Sequence, residues 1–145
     1  MRYLSVLMIV LGALALAACG GATSTSPSSP NSTAAPAAET KTLGQISVSD
    51  LKAKLDANEN VFLLDVRTPE EFTQDGHVAQ ATLIPLDQLD SRLSELPTDK
   101  PILCICRSGN RSTTACNDLL ARGYDATNVT GGTNAWKAAG LPVDH

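Results

Sequence analysis

The chain has 145 residues, of which 43% are hydrophobic and 18% are charged, a balance typical of one folded domain rather than a disordered chain. Eleven basic and fifteen acidic residues give a formal net charge of −4, which argues against the basic surface that nucleic-acid binding needs. Aromatic residues make up only 3% of the chain, so we expect a core built mainly from Leu, Ile, Val and Ala.

Residues 1–18 predict a signal peptide. A single basic residue, Arg2, precedes an apolar run over residues 4–18, and a run of about 15 residues is shorter than the roughly 20 that a membrane-spanning helix needs. The run ends in Leu-Ala-Ala followed by Cys19 and two glycines. This ending resembles the lipobox of bacterial lipoproteins, which implies that Cys19 is lipid-modified and becomes the first residue of the mature chain. An ordinary cleaved signal and a short uncleaved anchor are the alternatives.

Residues 19–42 predict a flexible linker that begins at the lipidated Cys19. After the two glycines the composition is dominated by Ser, Thr, Pro, Ala and Asn, without apolar periodicity. We therefore expect a folded domain over residues 43–145, tethered to a bacterial membrane outside the cytoplasm.

From residue 43 onwards, short apolar runs alternate with segments of helical spacing. Extended segments are predicted around Ile46 and at 61–64, 81–84, 101–105 and 127–129. Helices are predicted after capping boxes at Ser47 and Thr68, over 86–93, after the loop that follows the 101–105 strand, and around Trp136. This alternation predicts an α/β fold, an open parallel sheet with helices on both faces. A ligand site is then expected at the carboxyl ends of the strands.

A cysteine loop follows the 101–105 strand and leads into a helix. Backbone N–H groups in such a loop, together with the helix N-terminus, attract an anion. They also lower a thiol pKa below the roughly 8.5 of free cysteine. We therefore predict that Cys106 is the nucleophile and that the rest of the loop binds the substrate, with two arginines to meet a negative charge. The predicted binding residues are Arg107, Ser108, Gly109, Asn110, Arg111 and Ser112.

Several short motifs in this order resemble the single-domain rhodaneses, which are sulfurtransferases. The motifs are Leu64-Asp65-Val66-Arg67, Pro69-Glu70-Glu71-Phe72, Gly76-His77-Val78, the Cys106 loop, Gly131-Gly132 with Ala135-Trp136, and Gly140-Leu141-Pro142. The resemblance covers the chain from Leu43 to the C-terminus and implies a sheet of about five parallel strands. The chain departs from the family at Ala79-Gln80-Ala81, where Pro-Gly-Ala is common.

The resemblance also implies a reaction. Cys106 would take a sulfane sulfur from a small anionic donor such as thiosulfate and carry it as a persulfide. It would then pass the sulfur to cyanide or another thiophilic acceptor, with a protein as a further candidate acceptor.

The sequence leaves three alternatives to this reaction. A cysteine phosphatase places five residues between its Cys and Arg, whereas four separate Cys106 from Arg111, a tighter ring that favours a single sulfur over phosphate. A non-catalytic sulfur carrier or persulfide-binding module would load sulfur and deliver it to a protein partner. A redox module would pair Cys106 with another thiol.

The remaining polar residues and cysteines are expected to have supporting or structural roles. Asp65 and Arg67 either support the loop electrostatically from behind or form a structural ion pair. Glu70 and Glu71 are accounted for by the start of a helix. Cys104 and Cys116 are expected to pack in the core, with a resolving thiol as the alternative for Cys116. No CxxC pair or ligand-like histidine spacing occurs, so we expect no metal and no cofactor.

Overall fold

The computed structural model describes residues 41–145, in which five strands alternate with helices. The strands are β1 (Gly44–Ile46), β2 (Phe62–Asp65), β3 (Thr82–Leu83), β4 (Ile102–Ile105) and β5 (Ala126–Val129). The α-helices are α1 (Val48–Asp56), α2 (Pro69–Gln74), α3 (Asn110–Ala121) and α4 (Gly132–Ala138), and a 3-10 helix spans Leu86–Glu95. The predicted signal peptide, the lipid attachment at Cys19 and nearly all of the linker lie outside the described residues. Within residues 41–145, no helix is long and apolar enough to cross a membrane.

The strands form one parallel sheet in the order β1-β5-β4-β2-β3. This confirms the predicted α/β fold with five parallel strands. β4 lies at the centre, where Cys104 pairs with Leu64 of β2 on one side and with Asn128 of β5 on the other. The carboxyl ends of β2, β4 and β5 therefore meet at one edge of the sheet, and Cys106 leaves β4 at that edge.

The two faces of the sheet carry separate apolar cores, because successive residues of a strand point to opposite faces. Ile102 and Cys104 of β4 pack on the face covered by α3 and the 3-10 helix, and Cys106 continues this row. Leu103 and Ile105 pack on the other face, which α1 and α4 cover. A strand buried on both sides explains why β4 is apolar throughout.

Both predicted capping boxes form. Ser47 Oγ accepts a hydrogen bond from the Asp50 N–H at 3.1 Å at the start of α1. At the start of α2, Thr68 Oγ1 accepts from the Glu71 N–H at 3.3 Å, and the Glu71 carboxylate accepts from the Thr68 N–H at 3.2 Å. The Glu71 carboxylate is thereby held at the N-terminus of α2.

Two elements differ from their predictions. β3 has two residues instead of the four predicted over 81–84, although beyond it the Ile84 N–H still donates to the Asp65 carbonyl oxygen at 3.0 Å and the Leu86 N–H to the Val66 carbonyl oxygen at 3.3 Å. The helix predicted over 86–93 is a 3-10 helix that extends to Glu95 and is interrupted at Arg92, whose φ is −116° and ψ is 16°.

The Gly131-Gly132 pair joins α4 to the cysteine loop. The first turn of α4 donates two hydrogen bonds to the loop, from the Thr133 N–H to the Cys106 carbonyl at 2.8 Å and from the Asn134 N–H to the Arg107 carbonyl at 2.9 Å. Gly132 adopts a φ of +57°, and a Cβ at this position would lie 2.1 Å from the Cys106 carbonyl oxygen. Glycine is therefore required here both by its backbone conformation and by the close approach of the loop.

We expect Gly132→Ala to destabilise the fold far more than Gly123→Ala. Gly123 also has a positive φ, of +89°, but no atom lies within 4 Å of the position of its added Cβ. The control should therefore cost only the roughly 1–2 kcal/mol of left-handed strain, and Gly132→Ala should cost at least about 2 kcal/mol more, because the backbone must shift. Urea denaturation of both variants measures the difference. If both variants lose the same unfolding free energy, the close contact between α4 and the loop is not the reason why residue 132 must be glycine.

Candidate active site

The sulfur of Cys106 lies at the floor of the loop, enclosed by hydrogen-bond donors. Only 1% of the residue is exposed. The Gly109 N–H donates to Cys106 Sγ at 3.2 Å, and Ser112 Oγ lies 3.4 Å from the same sulfur. The φ of +101° at Gly109 turns the loop so that this N–H points back towards the sulfur. The loop is therefore shaped to hold a negatively charged sulfur atom.

This environment changes the acidity of the thiol. Burial on its own raises the pKa of Cys106, because it removes water from the thiolate. Hydrogen bonds from the Ser112 hydroxyl and from the N–H groups of Ser112, Ser108 and Gly109 act in the opposite direction and outweigh burial. The net effect lowers the pKa of Cys106 below its ordinary value, which favours the nucleophilic thiolate.

Ser112 connects this sulfur to the neighbouring strand. Its side chain is fully buried, and its Oγ lies 2.6 Å from Asn128 Oδ1 on β5 and 3.1 Å from the Gly109 carbonyl oxygen. A hydroxyl has one proton, so these two oxygens compete with Cys106 Sγ for it. Asn128 is thus part of the site, although from the sequence it was predicted only as a strand residue. The available signal was a polar residue in a strand predicted to be buried, which needs a hydrogen-bond partner.

Arg111, predicted to bind substrate, forms a two-pronged ion pair with Glu71. Its Nη1 lies 2.7 Å from Glu71 Oε2 and its Nη2 lies 2.7 Å from Oε1, so α3 is joined to α2. The hydrogen bonds from Arg111 lower the pKa of Glu71 to about 2 against the opposing effect of burial, and the pair raises the pKa of Arg111 in turn. From the sequence, Glu71 was expected to have only a capping role. In the structure it performs that role and also binds the loop arginine.

Asp65 and Arg67 form a fully buried ion pair behind the loop, with Arg67 Nη2 2.8 Å from Asp65 Oδ2. Arg67 also donates to the carbonyl oxygens of Glu71 at 3.2 Å and Gly76 at 3.1 Å. Charges of alternating sign therefore run from Asp65 through Arg67, Glu71 and Arg111 towards the Cys106 thiolate. A buried pair with these additional hydrogen bonds is one in which both charges are satisfied.

The other predicted binding residues occupy different positions. The side chains of Arg107, Ser108 and Asn110 are exposed at the rim of the loop. Within residues 41–145, Arg107 has no ion pair, so it is the loop arginine whose charge is not already compensated.

Cys104 and Cys116 lie in the core beneath the loop, and both are free, buried thiols, as is Cys106. A hydrogen bond with Cys116 and burial raise the pKa of Cys104 well above its ordinary value. Cys104 therefore stays protonated under conditions in which Cys106 ionises. Cys104 and Cys106 differ in acidity because only Cys106 receives the donors of the loop.

His77 is held by structural contacts. Its Nδ1 lies 3.1 Å from the Phe72 carbonyl oxygen, its ring stacks on Phe72 at 3.7 Å between centroids, and its backbone pairs with Asp144. These contacts fix the turn after α2 beside the Asp65–Arg67 pair.

We expect Ser112→Ala to shift the titration of Cys106 to higher pH, because the thiolate loses a donor. The alkylation rate by iodoacetamide, followed by mass mapping of Cys106 from pH 5 to pH 10, reports this titration. The rate at pH 7 should fall by several-fold, a size consistent with the loss of one hydrogen bond to a charged group. Thr114→Ala, an exposed change on the same helix, serves as the control. An unchanged profile in Ser112→Ala would show that Ser112 does not stabilise the thiolate.

Comparison with known proteins identifies the family. Residues 47–139 match the model of the rhodanese-like domain. The chain is 38% identical over 102 residues to a sulfurtransferase of Allochromatium vinosum, covering 70% of this chain and 94% of the relative. It also resembles the crystal structure of a rhodanese-like domain protein from Staphylococcus aureus, with 35% identity, a TM-score of 0.64, and coverage of 71% of this chain and 100% of that one. A rhodanese-related protein from Thermoplasma volcanium gives 34% identity and a TM-score of 0.64 over 70% of this chain and 97% of that one. The motifs predicted this family from sequence, and the chain belongs to the rhodanese-like domain family.

Proposed function

We propose that this chain is a sulfurtransferase that carries a sulfane sulfur as a persulfide on Cys106. The observation that carries the proposal is the cradle of N–H and O–H donors around Cys106 Sγ, which lowers the pKa of the thiol. Membership of the rhodanese-like family and the relative named as a sulfurtransferase support the same activity.

The first half-reaction loads the sulfur. The Cys106 thiolate attacks the outer sulfur of thiosulfate, the sulfur–sulfur bond of the donor breaks, and sulfite leaves with the bonding electrons. The new terminal sulfur is an anion, and the donors of the loop, the Gly109 N–H among them, can hold it. Arg107 supplies positive charge at the rim, where an anionic donor enters.

The second half-reaction returns the free enzyme. Cyanide attacks the terminal sulfur of the persulfide, thiocyanate departs, and the Cys106 thiolate is regenerated as the leaving group. A thiolate acceptor reacts in the same way and leaves as its own persulfide. Neither step needs a metal, a cofactor or an outside oxidant to balance its atoms and electrons.

The loop is less suited to binding phosphate than to holding a single sulfur. A loop that wraps a phosphate gains most from a guanidinium whose charge is not already paired with a carboxylate. The two terminal nitrogens of Arg111 are already bound to Glu71. The spacing between Cys106 and Arg111 and the ion pair of Arg111 therefore both favour sulfur over phosphate.

For the location, we propose an extracytoplasmic, lipid-anchored protein with a signal peptide over residues 1–18, a lipidated Cys19 and linker over 19–42, and the rhodanese-like domain over 43–145. The support is the apolar run, the Leu-Ala-Ala-Cys ending and the linker composition.

Thiocyanate formation from thiosulfate and cyanide tests the proposed function. We expect turnover by the full chain and its loss, by at least about a thousandfold, in Cys106→Ala, because the nucleophile is removed. Cys104→Ala and Cys116→Ala are matched controls that should keep most of the activity, since these thiols do not contact the donors of the loop. Turnover that survives in Cys106→Ala would overturn the proposal. Stoichiometric loading of sulfur without turnover would instead favour a carrier that delivers to a protein partner.

A further inference from the structure

A groove of about 400 Å³ opens beside the cysteine loop. Val66, Pro85 and Leu86 form its apolar wall, while Arg111 and Asp87 are charged residues of its lining. The Val66 N–H donates to the carbonyl oxygen of Ile105, the residue before Cys106, at 3.0 Å. The groove therefore adjoins the loop, and its volume lies in the range that holds organic ligands. A five-atom inorganic anion would leave most of it empty.

The positive charges of this groove are already compensated. Arg67 is paired with Asp65, and both terminal nitrogens of Arg111 are bound to Glu71. Asp87 is exposed and has no ion pair within residues 41–145. Arg107, the loop arginine without an ion pair in the described part of the chain, does not line the groove, so the uncompensated charge among the lining residues is that of Asp87. A dianion such as thiosulfate gains little from Arg111 here and is repelled by Asp87.

We propose that the groove binds the organic part of a hydropersulfide donor that carries a cationic group, and that Glu71 and Asp87 select this class of donor over thiosulfate. The proposal rests on the sulfurtransferase function proposed above and names the substrate class of the same site. Glu71 acts by holding Arg111 away from an anionic donor, so it is a specificity-determining residue rather than a catalytic one. Asp87 acts by attracting the cationic group, for example an ammonium.

The loading step with this donor is balanced. The Cys106 thiolate attacks the terminal sulfur of R–S–SH, the sulfur–sulfur bond of the donor breaks, and R–S⁻ leaves with the bonding electrons. The proton of the terminal sulfur stays with that sulfur on Cys106. The leaving thiolate keeps its organic group in the groove until it departs.

The test compares two donors with the full chain, using cyanide as acceptor and subtracting the rate of Cys106→Ala for each donor. The donors are thiosulfate and the hydropersulfide of cysteamine, which carries an ammonium group. In Glu71→Gln we expect kcat/KM for thiosulfate to rise about tenfold, because Arg111 gains the freedom to donate to the anion. The value for cysteamine persulfide should stay within about twofold. Glu70→Gln, an exposed neighbour on the same helix, is the matched control and should change neither value.

Asp87→Asn provides a second variant on an exposed position, where folding is not at risk. It should lower kcat/KM for cysteamine persulfide several-fold, while kcat/KM for thiosulfate should stay unchanged or rise. The inference is overturned if Glu71→Gln lowers kcat/KM equally for both donors. It is also overturned if neither variant changes the ratio of kcat/KM for cysteamine persulfide to kcat/KM for thiosulfate. If the natural sequence turns over neither donor, the proposed sulfurtransferase function itself fails, and this result is distinct from a failure of the donor selectivity.

Discussion

The site depends on the orientation of the peptide groups in the cysteine loop. The carbonyls of Cys106 and Arg107 accept hydrogen bonds from the first turn of α4, while the Gly109 N–H points at the sulfur. A negatively charged sulfur can be held only where donors face it and carbonyl oxygens face away. α4 provides this condition by drawing both carbonyls to the opposite side. Gly132 is the residue that lets α4 approach closely enough, since any Cβ there would overlap the Cys106 carbonyl.

The electrostatics of the site follow from hydrogen bonds more than from free positive charge. The donors around Cys106 outweigh the effect of burial on its pKa. The charge of Arg111 is largely compensated by Glu71, and that of Arg67 by Asp65. The loop therefore stabilises one buried negative atom without presenting a strongly positive surface to solution. This suits a persulfide, whose terminal sulfur carries its charge next to the protein, and it leaves the choice of donor to the surrounding residues.

Local signals in the sequence were sufficient to predict the strands, both capping boxes and the position of the cysteine loop, because each of these features depends on residues close together in the chain. The Glu71–Arg111 pair joins residues 40 positions apart, and its formation depends on the strand order that places α2 beside the loop. The contact of Ser112 with Asn128 likewise needs β5 to lie next to β4. Glu71 was also hard to recognise because its capping role already explained its presence. The assignments of Cys19 and the signal peptide remain predictions from sequence.

Cys106 is proposed to carry the transferred sulfur, and the intact mass of the full chain, after incubation with a sulfane-sulfur donor and removal of excess donor, tests this. We expect one added sulfur atom, located by peptide mapping on Cys106, and its disappearance on addition of cyanide. The lowered pKa of Cys106 and the raised pKa of Cys104 predict the selectivity between these two thiols. Addition of sulfur to Cys104 or Cys116 instead, or no adduct with either thiosulfate or an organic persulfide, would contradict it.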